Sequence, residues 1–274
     1  MKKALIWILA VVITMGAAYY QRKTGPTHPK RISWSLNGKE YKTDLLRSHE
    51  TGEDCPVVLP ADENTNGIII YRRYPFDNEW DTIPMVTGTE GLSAALPSQP
   101  PAGKLAYKVI LSRDNEEVVL PDDNPVIVRF KGAVPAWIMV PHIIIMFFAM
   151  LLSNVAGLMA LGKLPRFKLY ATLTLIFLFI GGGILGPLVQ KYAFGDLWTG
   201  IPFGWDLTDN KTLIALVMWL VAVLFNRKKD RYGWVVAATV VLLLVFSIPH
   251  SMFGSEFNYE TGEIIQGMIL PWIL

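Results

Sequence analysis

Five apolar runs, at about residues 4–20, 136–161, 169–190, 212–225 and 234–253, dominate the sequence. A helix rises about 1.5 Å per residue, so about 20 apolar residues are needed to cross a hydrocarbon core of about 30 Å. Five such runs predict an α-helical integral membrane protein of five spans. The 52% hydrophobic content agrees, being too high for a soluble chain of 274 residues. The first run, residues 1–22 with its flanks, reads as an N-terminal anchor. Lys2 and Lys3 ahead of it and Gly16-Ala17-Ala18 near its end leave a cleaved signal peptide as the alternative.

Basic residues set an expected orientation. Lys2 and Lys3 precede span one, Lys163, Arg166 and Lys168 separate spans two and three, and "NRKKDR" separates spans four and five. Positive charge stays in the cytoplasm, so all three clusters share that side if the N-terminus is inside. The expected topology is N-in and C-out in a bacterial inner membrane, with residues 30–131, the loop at 194–211 and the tail at 254–274 on the periplasmic side. A net charge of +2 with no basic stripe argues against a nucleic-acid partner. One cysteine, Cys55, excludes an intrachain disulfide and a C-x-x-C-H haem attachment.

Residues 30–131 are charged, proline-containing and built of short alternating strands. Asn37-Gly38 within "ISWSLNGKEYKTD" is a strong hairpin signal. Seven further candidates follow, "CPVVL", "GIIIYRRY", "WDTIPMV", "LSAALP", "LAYKVILS", "EEVVL" and "VIVRF", punctuated by Gly, Pro, Asn and Asp. About eight short strands in about 100 residues predict an all-β, immunoglobulin-like sandwich inserted between spans one and two. The expected role is a spacer or docking module. The tail "EIIQGMILPWIL" is too short to span and is expected at the interface or against a partner subunit.

The membrane part, residues 135–253, carries few charges, so its polar residues are informative. His142 lies near the outer end of span two, and His250 near the outer end of span five. Between them comes the loop "FGDLWTGIPFGWDLTDNKTL", in which Trp198, Phe203 and Trp205 run into Asp206, Thr208, Asp209 and Asn210. Span four is too short at 212–225, so its helix is expected to start earlier, capped by Asp206 or Thr208. The rings read either as a lid over a pocket or as an interfacial aromatic belt. Imidazole pairs are common haem ligands, while a zinc site would need Asp206 or Asp209 as a further ligand. Gly181-Gly182-Gly183 would admit a neighbouring helix or a flat ring, or would kink the span beside Pro187. No P-loop, G-x-G-x-x-G, H-E-x-x-H or G-x-S-x-G motif appears, and no catalytic residue is assigned.

The stretch "LWTGIPFGWDLTDNKTLIALVMWL" resembles the tryptophan-rich loop of the haem-handling membrane proteins of cytochrome c maturation, over about residues 135–252. Trp198, Gly200, Trp205, Asp206, Thr212 and Trp219 correspond to positions of that pattern, with one outer histidine before the loop and one after it. The family's doubled Trp is interrupted here by Phe203 and Gly204, and the sandwich insertion is foreign to it. The resemblance implies a haem b site using His142 and His250 as iron ligands, with Trp198, Phe203, Trp205 and Asp206 around it. Such a site would serve haem handling or electron transfer with a periplasmic partner. The alternative is a cofactor-free accessory subunit of a larger membrane complex, docking through the sandwich and the tail.

Overall fold

Where the sequence is apolar over long runs, the chain is helical. The structure is a computed structural model that describes residues 2–250 and 255–265. These residues divide into a helical unit, 2–26 with 134–250, and a β unit, Thr27–Ala133 with Ser255–Ile265.

The helical unit comprises α1 (Lys2–Thr24), α2 (Ala136–Leu161), α3 (Phe167–Leu178), a π-helical turn (Phe179–Leu185), α4 (Gly186–Phe194), α5 (Leu207–Phe225) and α6 (Tyr232–Ser247). The α3, π and α4 segments run on as one helix. Among the described residues four helices are long and apolar enough to cross a membrane: Lys3–Thr24, Ala136–Leu161, Phe167–Phe194 and Leu207–Phe225. The fifth expected span, α6, is shorter, with 16 residues.

Small and polar residues let these helices approach. A Cβ on Gly157 of α2 would come within 2.6 Å of the Thr239 hydroxyl of α6, and that hydroxyl donates to the Ser153 carbonyl at 3.0 Å. Asn154 of α2 donates to Thr14 of α1 at 2.9 Å, and Thr14 lies on the buried α1 stripe Ile6, Ala10, Thr14. Trp219 of α5 is wholly buried in the shared core with Ala215, Ala222, Ala238 and Leu242. The opposite faces carry exposed Phe147, Phe148, Ile176, Phe179, Leu220 and Leu244.

The α2–α3 and α5–α6 connections lie at the same end of the unit. Lys168 pairs with Asp230 at 2.6 Å, and the rings of Phe167 and Tyr232 lie 4.8 Å apart. Asn226 closes the second connection, accepting from the Arg231 amide at 2.7 Å and donating to the Ala222 carbonyl at 2.8 Å. Two of the three basic clusters therefore share one end.

The β unit begins with the hairpin β1 (Lys30–Leu36) and β2 (Lys39–Leu45), whose turn places Asn37 and Gly38 at φ 49° and 72°. Positive φ at both central residues is what a two-residue hairpin turn needs, and Asn-Gly supplies it at little strain. The larger sheet runs β3 (Ser48–Glu50), β11 (Val126–Lys131), β9 (Lys104–Arg113), β5 (Asn66–Arg73) and β6 (Asp81–Pro84), and β10 (Glu116–Leu120) also pairs β9. The β3–β11 pairing is parallel, and the other pairings are antiparallel. A third sheet orders β4 (Cys55–Leu59), β8 (Gly91–Leu96) and β7 (Val86–Gly88). Alternate residues from all three sheets, among them Trp34, Leu59, Leu92, Tyr107, Val109 and Phe130, meet in one core.

"WDTIPMV" was expected as one strand. Instead it divides at Met85 between β6 in the larger sheet and β7 in the smaller. The expected separate tail is also corrected in part. Residues 255–265 join the β unit as a hairpin of β12 (Glu256–Phe257) and β13 (Ile264–Ile265). Lys104 pairs with Glu256, Arg129 donates to the Ser255 carbonyl at 2.6 Å, and the Tyr259 hydroxyl donates to Gln99 at 2.9 Å. The apolar stretch after Ile265 lies outside the described residues.

Candidate functional site

The aromatic loop is tied down by the polar residues that follow it. Asp206 is the N-cap of α5, and its carboxylate accepts from the amides of Thr208 at 2.8 Å and Asp209 at 3.3 Å. Asp209, buried one turn on, accepts from the amides of Thr199 at 2.6 Å and Gly200 at 3.1 Å. The Thr199 hydroxyl lies 3.3 Å from the same Asp209 oxygen and accepts from the Gln190 amide of α4 at 2.5 Å. Asn210 accepts from the Ile201 amide at 2.7 Å. These bonds satisfy loop amides that have no helical partner. Gly200 is needed for the approach, since a Cβ there would lie 2.7 Å from Asp209 Cβ. The early start of span four and the Asp206 cap are as the sequence predicts.

The rings are not where a lid would put them. Phe203 and Trp205 are 75% and 60% exposed, and only Trp198 is half-buried, its indole N–H donating to the Ile201 carbonyl at 3.1 Å. The carboxylates anchor the inner backbone of the loop, and that turns the bulky side chains outward.

Beneath the loop the histidines come to one end of the helical unit. His142, in the second turn of α2, has Nδ1 2.9 Å from the Gly181 carbonyl. A carbonyl only accepts, so Nδ1 carries the proton and the neutral ring keeps its lone pair at Nε2. The partner is not a carbonyl of α2. It belongs to the π-helical turn, where Gly181 also accepts from the Gly186 amide. His250 follows the end of α6, exposed, with its ring edge-on to Phe246 at 6.5 Å. It lies within electrostatic reach of both His142 and Lys211.

Lys211 is the residue that sequence reasoning missed. It is 1% exposed, and its ammonium donates to the Ile248 carbonyl at 2.6 Å. A signal was present, because Lys211 falls on the stripe that continues through Ala215, Trp219 and Ala222, all buried. Counting that stripe from its apolar members alone hides the lysine at its head.

The glycine run does not hold open a slot. A Cβ on Gly181 would meet Met146 and Ile145 of α2 at 2.8 and 3.0 Å, and one on Gly182 would meet Thr212 of α5 at 2.7 Å. The glycines admit neighbouring helices. Among the described residues no three His, Cys, Asp or Glu side chains gather as a metal-ligand set. Asp206 and Asp209, the ligands a zinc site would have borrowed, are held by backbone amides. The Trp219 indole N–H has no hydrogen-bond partner among the described residues.

The β unit holds a cavity of about 560 Å³ lined in part by Tyr71, Arg73, Asp77, Asp81, Gln99 and Tyr259. The Arg73 guanidinium lies over the Tyr259 ring at 4.9 Å. Cys55 is fully buried, and burial pushes its thiol up to about 11, away from nucleophilic use at neutral pH. No protein-family model, curated protein or solved structure matches the chain.

Proposed function

We propose that the chain is a multi-pass integral membrane protein with an extracytoplasmic immunoglobulin-like sandwich, and that its helical unit binds a b-type haem through His142 and His250. The membrane reading is supported by four helices of spanning length, their exposed apolar faces and the basic connections grouped at one end. With the N-terminus in the cytoplasm, the histidine end faces the periplasm.

The observation that carries the haem reading is the His142–Gly181 hydrogen bond, which orients the ring and leaves Nε2 as the ligand atom. Metal-bound histidines commonly have such a backbone partner. His250 supplies a second imidazole at the same end, and Lys211 brings a positive charge beside them. This donor set fits an iron porphyrin with acidic substituents. A bound haem would supply one-electron chemistry or be the cargo itself, exchanged with a periplasmic partner. Protein purified in mild detergent after expression with added haem should show a Soret band that shifts on reduction. His142→Ala or His250→Ala should weaken or abolish it. A wild-type protein without that band overturns the reading.

The outward rings favour a second reading, in which the chain is an accessory subunit without a cofactor. Phe203 and Trp205 then form a contact for another membrane protein. Phe203→Ala with Trp205→Ala would release that partner on purification, and the visible spectrum would stay featureless.

A further inference from the structure

The environment of Lys211 is incomplete in a specific way. Its ammonium has three N–H donors, and among the described residues it meets one acceptor, the carbonyl of Ile248 at the C-cap of α6. No ion pair with Lys211 occurs among the described residues, although two carboxylates are close in sequence. Both are committed elsewhere, Asp206 to the amides of Thr208 and Asp209, and Asp209 to those of Thr199 and Gly200. Asp206 acts on Lys211 only as a charge at a distance. An ammonium wholly withdrawn from water in an apolar helical unit is costly unless an anion or several acceptors face it. Capping the last turn of α6 explains one donor, and among the described residues the charge meets no carboxylate nearer than the distant Asp206. The two imidazoles near Lys211 bring no negative charge either.

We infer that Lys211 is the anchoring group for a carboxylate of the ligand that His142 and His250 take, which for a haem is a propionate. This rests on the haem reading and adds to it a required acidic group and the residue that recognises it. Lys211 is a binding residue and not a ligand to the metal.

The test uses iron protoporphyrin IX and its dimethyl ester, which differ only in the charge and donor-accepting capacity of the propionates. Each is titrated into the full-length haem-free protein in detergent and followed at the Soret band. The wild type should bind the free acid about tenfold or more tightly than the diester, the scale of one charge-assisted hydrogen bond. Lys211→Met should lose that preference by weakening the free acid alone, with diester affinity unchanged, and Lys211→Arg should retain most of it. A lysine that only caps α6 would lower both affinities together. Equal discrimination in wild type and Lys211→Met overturns the inference. If Lys211→Met does not fold, the wild-type comparison still decides, since equal binding of acid and diester also overturns it. A wild type that binds neither porphyrin removes the haem reading and this inference with it.

Discussion

In the β unit most charge stays outside and the core is apolar, the exception being Arg129, buried against the Ser255 carbonyl. Arg31–Asp44, Lys39–Asp62 and Lys30–Asp123 all pair at the surface, over a core of Leu, Val, Ile and aromatic side chains. The helical unit reverses that arrangement. Its outer faces are apolar, while Asn154, Thr239, Asp209 and Lys211 are buried and join one segment to another. Buried polar groups must find partners inside the protein, so each one is also a constraint on geometry. The contrast teaches where mutations should matter: acidic residues count for much in the helical unit and for little in the β unit.

The strongest test of that contrast is Asp209→Ala. It leaves the Thr199 and Gly200 amides without their acceptor, and about 1–3 kcal/mol per orphaned donor gives a loss of about 4 kcal/mol. Thermal unfolding in detergent should fall accordingly, and protease should cut within residues 195–205. Wild-type stability in this variant would break the comparison. Asp206→Ala comes next, with an expected loss of about 1 kcal/mol, the usual scale of an N-cap. Asp206→Asn should be milder because an amide oxygen still accepts, and equal losses for Ala and Asn would show that capping is not what Asp206 contributes. Arg31→Ala should be the smallest. Its pair with Asp44 is solvated, and unfolding should be unchanged within error. A clear loss there would mean that surface charge matters more in the β unit than the contrast allows.

Local features were legible in the sequence. The apolar runs gave the helices, Asn37-Gly38 gave the first hairpin, and the Asp/Thr-rich start of α5 gave its cap. These depend on residues a few positions apart. The missed features depend on distant ones: the parallel pairing of β3 with β11, the division of one expected strand between two sheets, and the return of residues 255–265 to the β unit. Periodicity within a segment carries no information about such partners. The site was half legible for the same reason. His142 and His250 stood out as rare polar residues in apolar runs, but the Gly181 carbonyl that holds His142 comes from a different helix. Lys211 sat among polar neighbours and looked like one more solvated residue at a helix start. The outward turn of Phe203 and Trp205 follows from hydrogen bonds to Asp209 and Asn210, which composition alone does not order.

The π-helical turn at Phe179–Leu185 acts as a phase shifter. An α-helix advances about 100° per residue, and a single wider turn amounts to one residue inserted into that count. Side chains of α4 are therefore rotated about the helix axis relative to the pattern set by α3. Gln190 donates to Thr199 in the rotated setting, and the widened turn is the same one that presents Gly181 to His142. Deleting one glycine from this run would shorten the helix by little. It would swing every α4 side chain through roughly a quarter turn and point Gln190 away from the loop it now braces.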